Sequence, residues 1–378
     1  MENSIRYSIR KIIDSKKEKL EYVVDFMYKN PEKAYFEEKS SSMLVNLLKE
    51  EGFEVDIDIA GIENSFKAVC GSGKPRIAYI CEYDAKESGH VYGHNITSAI
   101  NLGAAIALRE VLDKIGGSVS VIGCPSESRA PVKIEMMKKG IFDDIDAVLC
   151  GHAMDKTCES GSSLGMALME IEFKGKSAHT SINFNEGISA LSPCITFFNL
   201  IESIKSKHID STFINYIIKN GGEDINLIPD DIICNIMIKA VDIKNLDILC
   251  KEIEDCANFS SKLYNCSAEI SYLEDKYMPL KTNEKLSTLT CHNLKECGII
   301  EIHGPLNIMA SLDLGNISYK IPTIHPYIGI CSSPVKYYSK EFSDCTITAY
   351  AKEQMLKAAS ALSITGVDII QKPEILKE

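Results

Sequence analysis

The stretch Arg76-Ile77-Ala78-Tyr79-Ile80-Cys81-Glu82-Tyr83-Asp84 is an almost unbroken apolar run that ends on two carboxylates. Apolarity without alternation belongs to a strand buried on both faces, as in parallel sheets covered by helices. Outward from it the pattern repeats: Asn95 to Ile115 reads as a helix, Ser118 to Gly123 as a strand, Pro131 to Lys139 as a helix and Ile145 to Cys150 as a strand. Buried strands separated by helices predict an α/β fold with a mostly parallel sheet and helices on both faces. Upstream, the first 50 residues read as two helices broken at Asn30-Pro31, because proline interrupts helices.

A different rhythm follows. Met166 to Lys174 and Asp231 to Ala240 read as strands, with others near Thr212 to Ile218 and Ala268 to Leu273, and Glu186 to Lys205 and Ile243 to Leu263 read as helices. Leu246, Leu249, Cys250, Ile253 and Ala257 recur at the spacing of one helical face. The order β-α-β-β-α-β is that of a ferredoxin-like domain. The chain then returns to the α/β pattern, with a helix at Asn283 to Glu296, a strand at Tyr327 to Cys331 and a C-terminal helix from Thr346 to Ile370. The expected organisation is a discontinuous α/β domain, 1–165 and 276–378, interrupted by an inserted domain at 166–275.

At roughly 150 residues per domain, 378 residues accommodate this division. The formal charge of -12, from 41 Lys+Arg against 53 Asp+Glu, opposes a nucleic-acid or anionic-membrane surface and favours a small-molecule substrate. None of the 14 cysteines falls in a Cys-x-x-Cys pair, so structural zinc is not indicated. The charged N-terminal run Met1 to Lys19 has no secretory apolar core, and no apolar run is long enough to span a bilayer. A cytoplasmic location follows, with thiols reduced and mostly packed as small hydrophobes.

In an open parallel sheet, ligands sit beyond the carboxyl ends of the strands. Those ends carry Glu82 and Asp84, the loop Gly89-His90-Val91-Tyr92-Gly93-His94-Asn95, then Cys124-Pro125-Ser126-Glu127-Ser128, and Gly151-His152. Each has a plain structural reading: Asp84 as a loop or cap residue, Glu127 as a surface carboxylate, a histidine as a satisfied core side chain. Their coincidence at successive strand ends favours chemistry. Cys124 and Cys158 lie near these loops as candidate nucleophiles, although no histidine is paired with either by spacing.

The order Glu-Tyr-Asp-Ala, Gly-His-x-x-Gly-His-Asn, Gly-x-Pro-x-Glu, Gly-His, then Gly-Lys-x-Ala-His opening the insert, resembles the zinc aminoacylase and carboxypeptidase family of metallopeptidases. Within it, the chain looks like the branch that holds aminobenzoyl-glutamate hydrolase and β-alanyl-lysine-type dipeptidases. The likeness runs from Asn30-Pro31-Glu32 to Tyr337-Tyr338-Ser339-Lys340-Glu341-Phe342. It implies that the insert is a lid and dimerisation domain, giving a homodimer. It further implies Glu127 as general acid/base, His94 and His152 as metal ligands, and Asp84 as the aspartate of the metal-proximal loop. From the lid, His179 matches a substrate-polarising histidine. Asn226, with Gly221 and Gly222, matches a substrate-carboxylate motif, and Gly315 and Asn316 match a loop close to the pocket.

Departures from the family pattern are equally informative. Tyr92 stands where the resemblance asks for a cysteine ligand, Ser128 for a carboxylate and Tyr338 for the last histidine. Neutral tyrosine and serine are weak ligands beside the roughly four N, S or carboxylate donors zinc takes. These changes imply at most one weakly held metal. Three functions stay open: an amide hydrolase with an unusual metal set, a metal-free enzyme using Glu127 with Tyr92 and Tyr338 hydroxyls as donors, and a non-catalytic small-molecule-binding or assembly protein.

Overall fold

The computed structural model describes residues 2–207 and 212–377. They form two compact units, each with its own buried apolar cluster. The first comprises the chain up to Ser162, Lys281–Asn307 and the chain from Asn316 on; the second comprises Ser163–Leu280 and Ile308–Gly315.

In the first unit a six-stranded sheet runs in the order Glu54–Ile57, Phe66–Cys70, Ser118–Cys124, Arg76–Glu82, Ala147–Leu149, Thr323–Ile324. The last four are mutually parallel. Ser118–Cys124 and Ala147–Leu149 are buried at every position, and Arg76–Glu82 at every position but the first, which is why they read as continuous apolar runs. Two antiparallel strands, Glu54–Ile57 and Phe66–Cys70, extend one edge beyond what the sequence pattern predicts. Glu54–Ile57 has no buried residue, so it carries no apolar pattern to detect. Strands of three or four residues form a second sheet, His303–Leu306, Cys158–Ser160, Tyr327–Gly329, His152–Met154.

Helices pack against this frame. His94–Arg109 is buried along nearly its whole length, and its small residues let other helices approach. A Cβ on Gly103 would lie 2.9 Å from Leu20 and 3.2 Å from Ala359, so glycine is what admits both neighbours. The N-terminal segment makes three helices rather than two, Glu2–Ser15, Lys17–Lys29 and Glu38–Glu50, the first break falling at Lys16. The helix expected to 115 divides into His94–Arg109 and Leu112–Ile115, and the C-terminal helix, Ala349–Gln371, is preceded by a separate turn of helix at Lys340–Cys345.

The second unit has an antiparallel sheet in the order Ser267–Tyr272, Gly165–Lys174, Asp231–Ala240, Thr212–Asn220. Strict alternation along Gly165–Lys174 and Asp231–Ala240 turns one face inward. Helices Leu191–Lys207 and Ile243–Leu263 bury Phe197, Ile201, Leu249 and Ile253 against Ile171, Phe173 and Ile236. Asp242 caps the latter helix by accepting from Asn245 N–H at 2.8 Å. The fold is therefore ferredoxin-like, β-α-β-β-α-β.

The 14 cysteines are free thiols. Among the described residues, no helix is long and apolar enough to cross a membrane.

Candidate active site

Glu82 ends its parallel strand beside Cys124, so the loops leaving the two strands emerge together. The first loop returns through Gly93, whose φ of +77° suits glycine and whose added Cβ would lie 2.7 Å from Ala153. Its neighbour His94 thereby becomes the first residue of the His94–Arg109 helix. The second loop turns at Ser126, φ +57°, whose N–H donates to buried Glu37 Oε1 at 2.6 Å, and presents Glu127. Lys133 follows on the short helix Val132–Lys138, and His152 opens the strand His152–Met154.

These side chains converge on Glu82. Its Oε2 lies 3.8 Å from His94 Nε2 and 3.9 Å from His152 Nε2, while its Oε1 pairs with Lys133 Nζ at 2.9 Å. His94 Nε2 also lies 3.7 Å from Glu127 Oε2. Asp84 holds the other imidazole edge: His94 Nδ1 is 3.0 Å from its carbonyl and 2.8 Å from its Oδ1. His152 Nδ1 donates to the Ala153 carbonyl at 2.8 Å. Both imidazoles are thus anchored through Nδ1 and aim Nε2 inward, the arrangement typical of metal-ligating histidines.

Charge follows from burial. Desolvation alone would raise Glu82; Lys133, then His94 and His152, outweigh it and hold the carboxyl down at about 2. Asp84, also buried, is held low mainly by His94. Burial alone would lower His94; the carboxylates of Asp84, Glu82 and Glu127 overcome it and raise it to about 9. Glu127 moves the other way, pushed up to about 8 by burial and by Glu82. Burial lowers His152 to about 4 and neighbouring His325 to about 3.

These donors suit a divalent ion. Glu82 Oε2 and His94 Nε2 are buried without a hydrogen-bond partner, which is costly unless something completes them. Zinc bonds of about 2.0–2.2 Å place two donors about 3.4 Å apart, close to the separations observed. Glu82, His94 and His152 form one such group; Asp84, His94 and Glu127 form another that shares His94.

The altered family positions gather here as well. Tyr92 stacks on His94 with ring centroids 5.2 Å apart, and Tyr338 meets Tyr92 at 5.0 Å. Burial and the Tyr338 hydroxyl raise Tyr92 further above its ordinary range, so in the metal-free pocket it is a neutral phenol. Ser128 turns its backbone N–H to Asp84 Oδ2 at 3.2 Å. Cys124 is buried against Met136, and burial raises the Cys158 thiol, as expected of packed cysteines.

His179, Asn226, Gly221 and Gly222 lie in the second unit. His179 Nδ1 accepts from the Ser181 and Ile182 N–H groups at 3.2 and 3.3 Å, leaving Nε2 as the donor. Its neighbour Thr180 donates to the Asn226 carbonyl at 2.9 Å. Gly221 and Gly222 line a depression of about 590 Å³ with Thr180 and Asp224. Gly315 lies against the Met278 carbonyl, which a Cβ would strike at 1.9 Å, and Asn316 is buried in the short helix Leu314–Ser318.

Sequence reasoning gives Glu82 no role beyond its place at a strand end, and misses Lys133, His325 and Glu37. A carboxylate closing a strand is a usable signal for Glu82. Nothing distinguishes Lys133, since a helical lysine ordinarily faces water.

Residues 162–264 match the family model of a peptidase dimerisation domain. Xaa-Arg dipeptidase of Mus musculus is 26% identical over 386 residues, covering 97% of this chain and 89% of its own. A p-aminobenzoyl-glutamate hydrolase chain of Escherichia coli is 27% identical over 448 residues, covering 97% and 92%. A crystal structure from Bacillus subtilis, described as a dinuclear metal binding peptidase of the M20 family, shares the fold with a TM-score of 0.73 at 15% identity, over 95% of this chain and 99% of that one. Residues 162–264 thus match an M20 peptidase dimerisation domain, and over nearly its whole length the chain is similar to curated dipeptidases and amidohydrolases.

Proposed function

We propose that the protein hydrolyses the amide bond of a small N-acyl amino acid or dipeptide, with Glu127 as general acid/base beside a reduced metal centre. The observation that carries this is the convergence of Glu127 with two buried, unpartnered ligand atoms, Glu82 Oε2 and His94 Nε2. Glu82, His94 and His152 would hold a divalent ion there, which when bound would supply Lewis acidity toward the carbonyl and the attacking water. Glu127 takes the water's proton as the C–O bond forms and delivers it to the amide nitrogen as the C–N bond breaks. Asp84 fixes His94 through Nδ1. His179 is assigned to polarise the substrate carbonyl, Asn226 with Gly221 and Gly222 to hold its carboxylate end, and Gly315 and Asn316 to border the pocket.

A metal-free variant of this reading has one observation in its favour. Glu82 and Asp84 ionised, against Lys133 and protonated His94, already balance in charge. Tyr92 and Tyr338 hydroxyls then act as the electrophilic donors.

Zinc analysis of the purified protein, with hydrolysis of Xaa-Arg dipeptides, p-aminobenzoyl-glutamate and N-acyl amino acids, tests both. Turnover that falls by about 10²–10⁴ in Glu127→Gln supports the assignment. Loss to a chelator selects the metal reading, and insensitivity the metal-free one. Binding without turnover across the panel, zinc included, refutes hydrolysis.

The matched dimerisation domain and its edge strand Thr212–Asn220, with Phe213, Ile217 and Ile218 exposed, support a homodimer through residues 166–275. Sedimentation at twice 41.8 kDa is expected, and a monomer refutes it. Free thiols throughout fit a reducing, cytoplasmic setting.

A further inference from the structure

Lys133 is buried completely, yet it stands on a helix whose last residues are exposed or half-exposed. Its ammonium pairs with Glu82 Oε1 at 2.9 Å, leaving Oε2 as the oxygen that faces His94 and His152. One carboxylate is thereby divided: one oxygen is committed to a covalently attached cation, the other is open to a diffusible one.

A charge count gives this division its meaning. Once a bound cation displaces the protons of His94 and Glu127, the carboxylates of Glu82, Asp84 and Glu127 bring three negative charges to the pocket and Lys133 brings one positive charge. The difference of two negative charges is cancelled by one divalent ion. Two ions would leave two excess positive charges in a buried place, where uncompensated charge is costly. The side chains point the same way, because Tyr92, Ser128 and Tyr338 add hydroxyls in place of a thiolate, carboxylate and imidazole.

We propose that Lys133 is a built-in cation that limits this centre to a single divalent ion, held by Glu82 Oε2, His94 Nε2 and His152 Nε2. In a dinuclear centre the second ion does this charge balancing; here a lysine does it permanently. The proposal rests on the reading of this pocket as the active site, but metal uptake reports it without any turnover.

The test is titration of Co²⁺ into chelator-treated protein, followed by its visible absorption and by calorimetry. Wild type is expected to saturate at no more than one Co²⁺ per chain. Lys133→Met, which keeps the volume and removes the charge, leaves Glu82 uncompensated and should bind Co²⁺ at least about tenfold more tightly. Lys133→Arg should retain wild-type behaviour. Two ions per wild-type chain, or a Lys133→Met affinity equal to or weaker than wild type, would overturn the proposal. Should Lys133→Met fail to fold, the neutral pair Glu82→Gln/Lys133→Met serves instead. It is expected to bind at least about tenfold more weakly than wild type, and wild-type affinity there refutes Glu82 as a ligand. A protein with this metal profile but no hydrolysis would keep the Lys133 inference and lose the hydrolase reading.

Discussion

Burial and the Glu82 carboxylate hold the Glu127 carboxyl protonated up to about pH 8 despite Lys133 and His94, so at neutrality it is poised as an acid, and a divalent ion in the pocket would shift it toward a base. The same displacements shape stability against pH. His94, raised to about 9, contributes stability that is complete below its unfolded value of about 6.5 and is lost as pH climbs through 9. Glu127 acts in the same direction, because the folded chain retains a proton that the unfolded chain has released. His90 and His152, lowered to about 4, and His325, lowered to about 3, act oppositely. They stay neutral when folded, so acidification below about 6.5 favours the unfolded chain, which takes up their protons. With chelator present, thermal midpoints should peak at about pH 6.5 and fall on both sides. A midpoint that keeps rising to pH 9 would contradict these assignments.

Among the elements, the turn at Gly93 does most to place His94. Alanine there would combine a left-handed φ of +77° with a contact of 2.7 Å to Ala153. Gly93→Ala should cost about 1–3 kcal/mol in denaturant unfolding and weaken metal uptake, whereas an unchanged midpoint would show that the turn relaxes freely. The elements also show where sequence patterns carry structure. Asp231–Ala240 and Ile243–Leu263 are legible to the residue because a half-buried strand and an amphipathic helix each write their period into the chain. Glu54–Ile57 is not, since an exposed edge strand buries nothing. At the site, Asp84, His94, Glu127 and His152 are legible from their positions at strand ends. Lys133 is not, because its burial is decided by a partner 51 positions away, Glu82, and not by its neighbours in sequence.

At the scale of the molecule, the two apolar clusters share no residue. Heat should therefore resolve two transitions, one per unit, in place of a single cooperative melt. The candidate metal ligands all lie in the first unit, so a zinc or cobalt ion bound by them should raise one midpoint and leave the other where it was. Equal displacement of both transitions, or a single transition at every metal concentration, would show that the units melt as one.

The pairing of Lys133 with Glu82 has one more consequence, for competition among ions. A pocket with an ammonium in place discriminates by charge before it discriminates by size or softness. Monovalent ions gain little from replacing a cation already tethered, and trivalent ions bring more charge than the carboxylates left over can neutralise. If Lys133 sets the charge of the centre as proposed, changing that one residue should alter which ions the protein collects from a mixture.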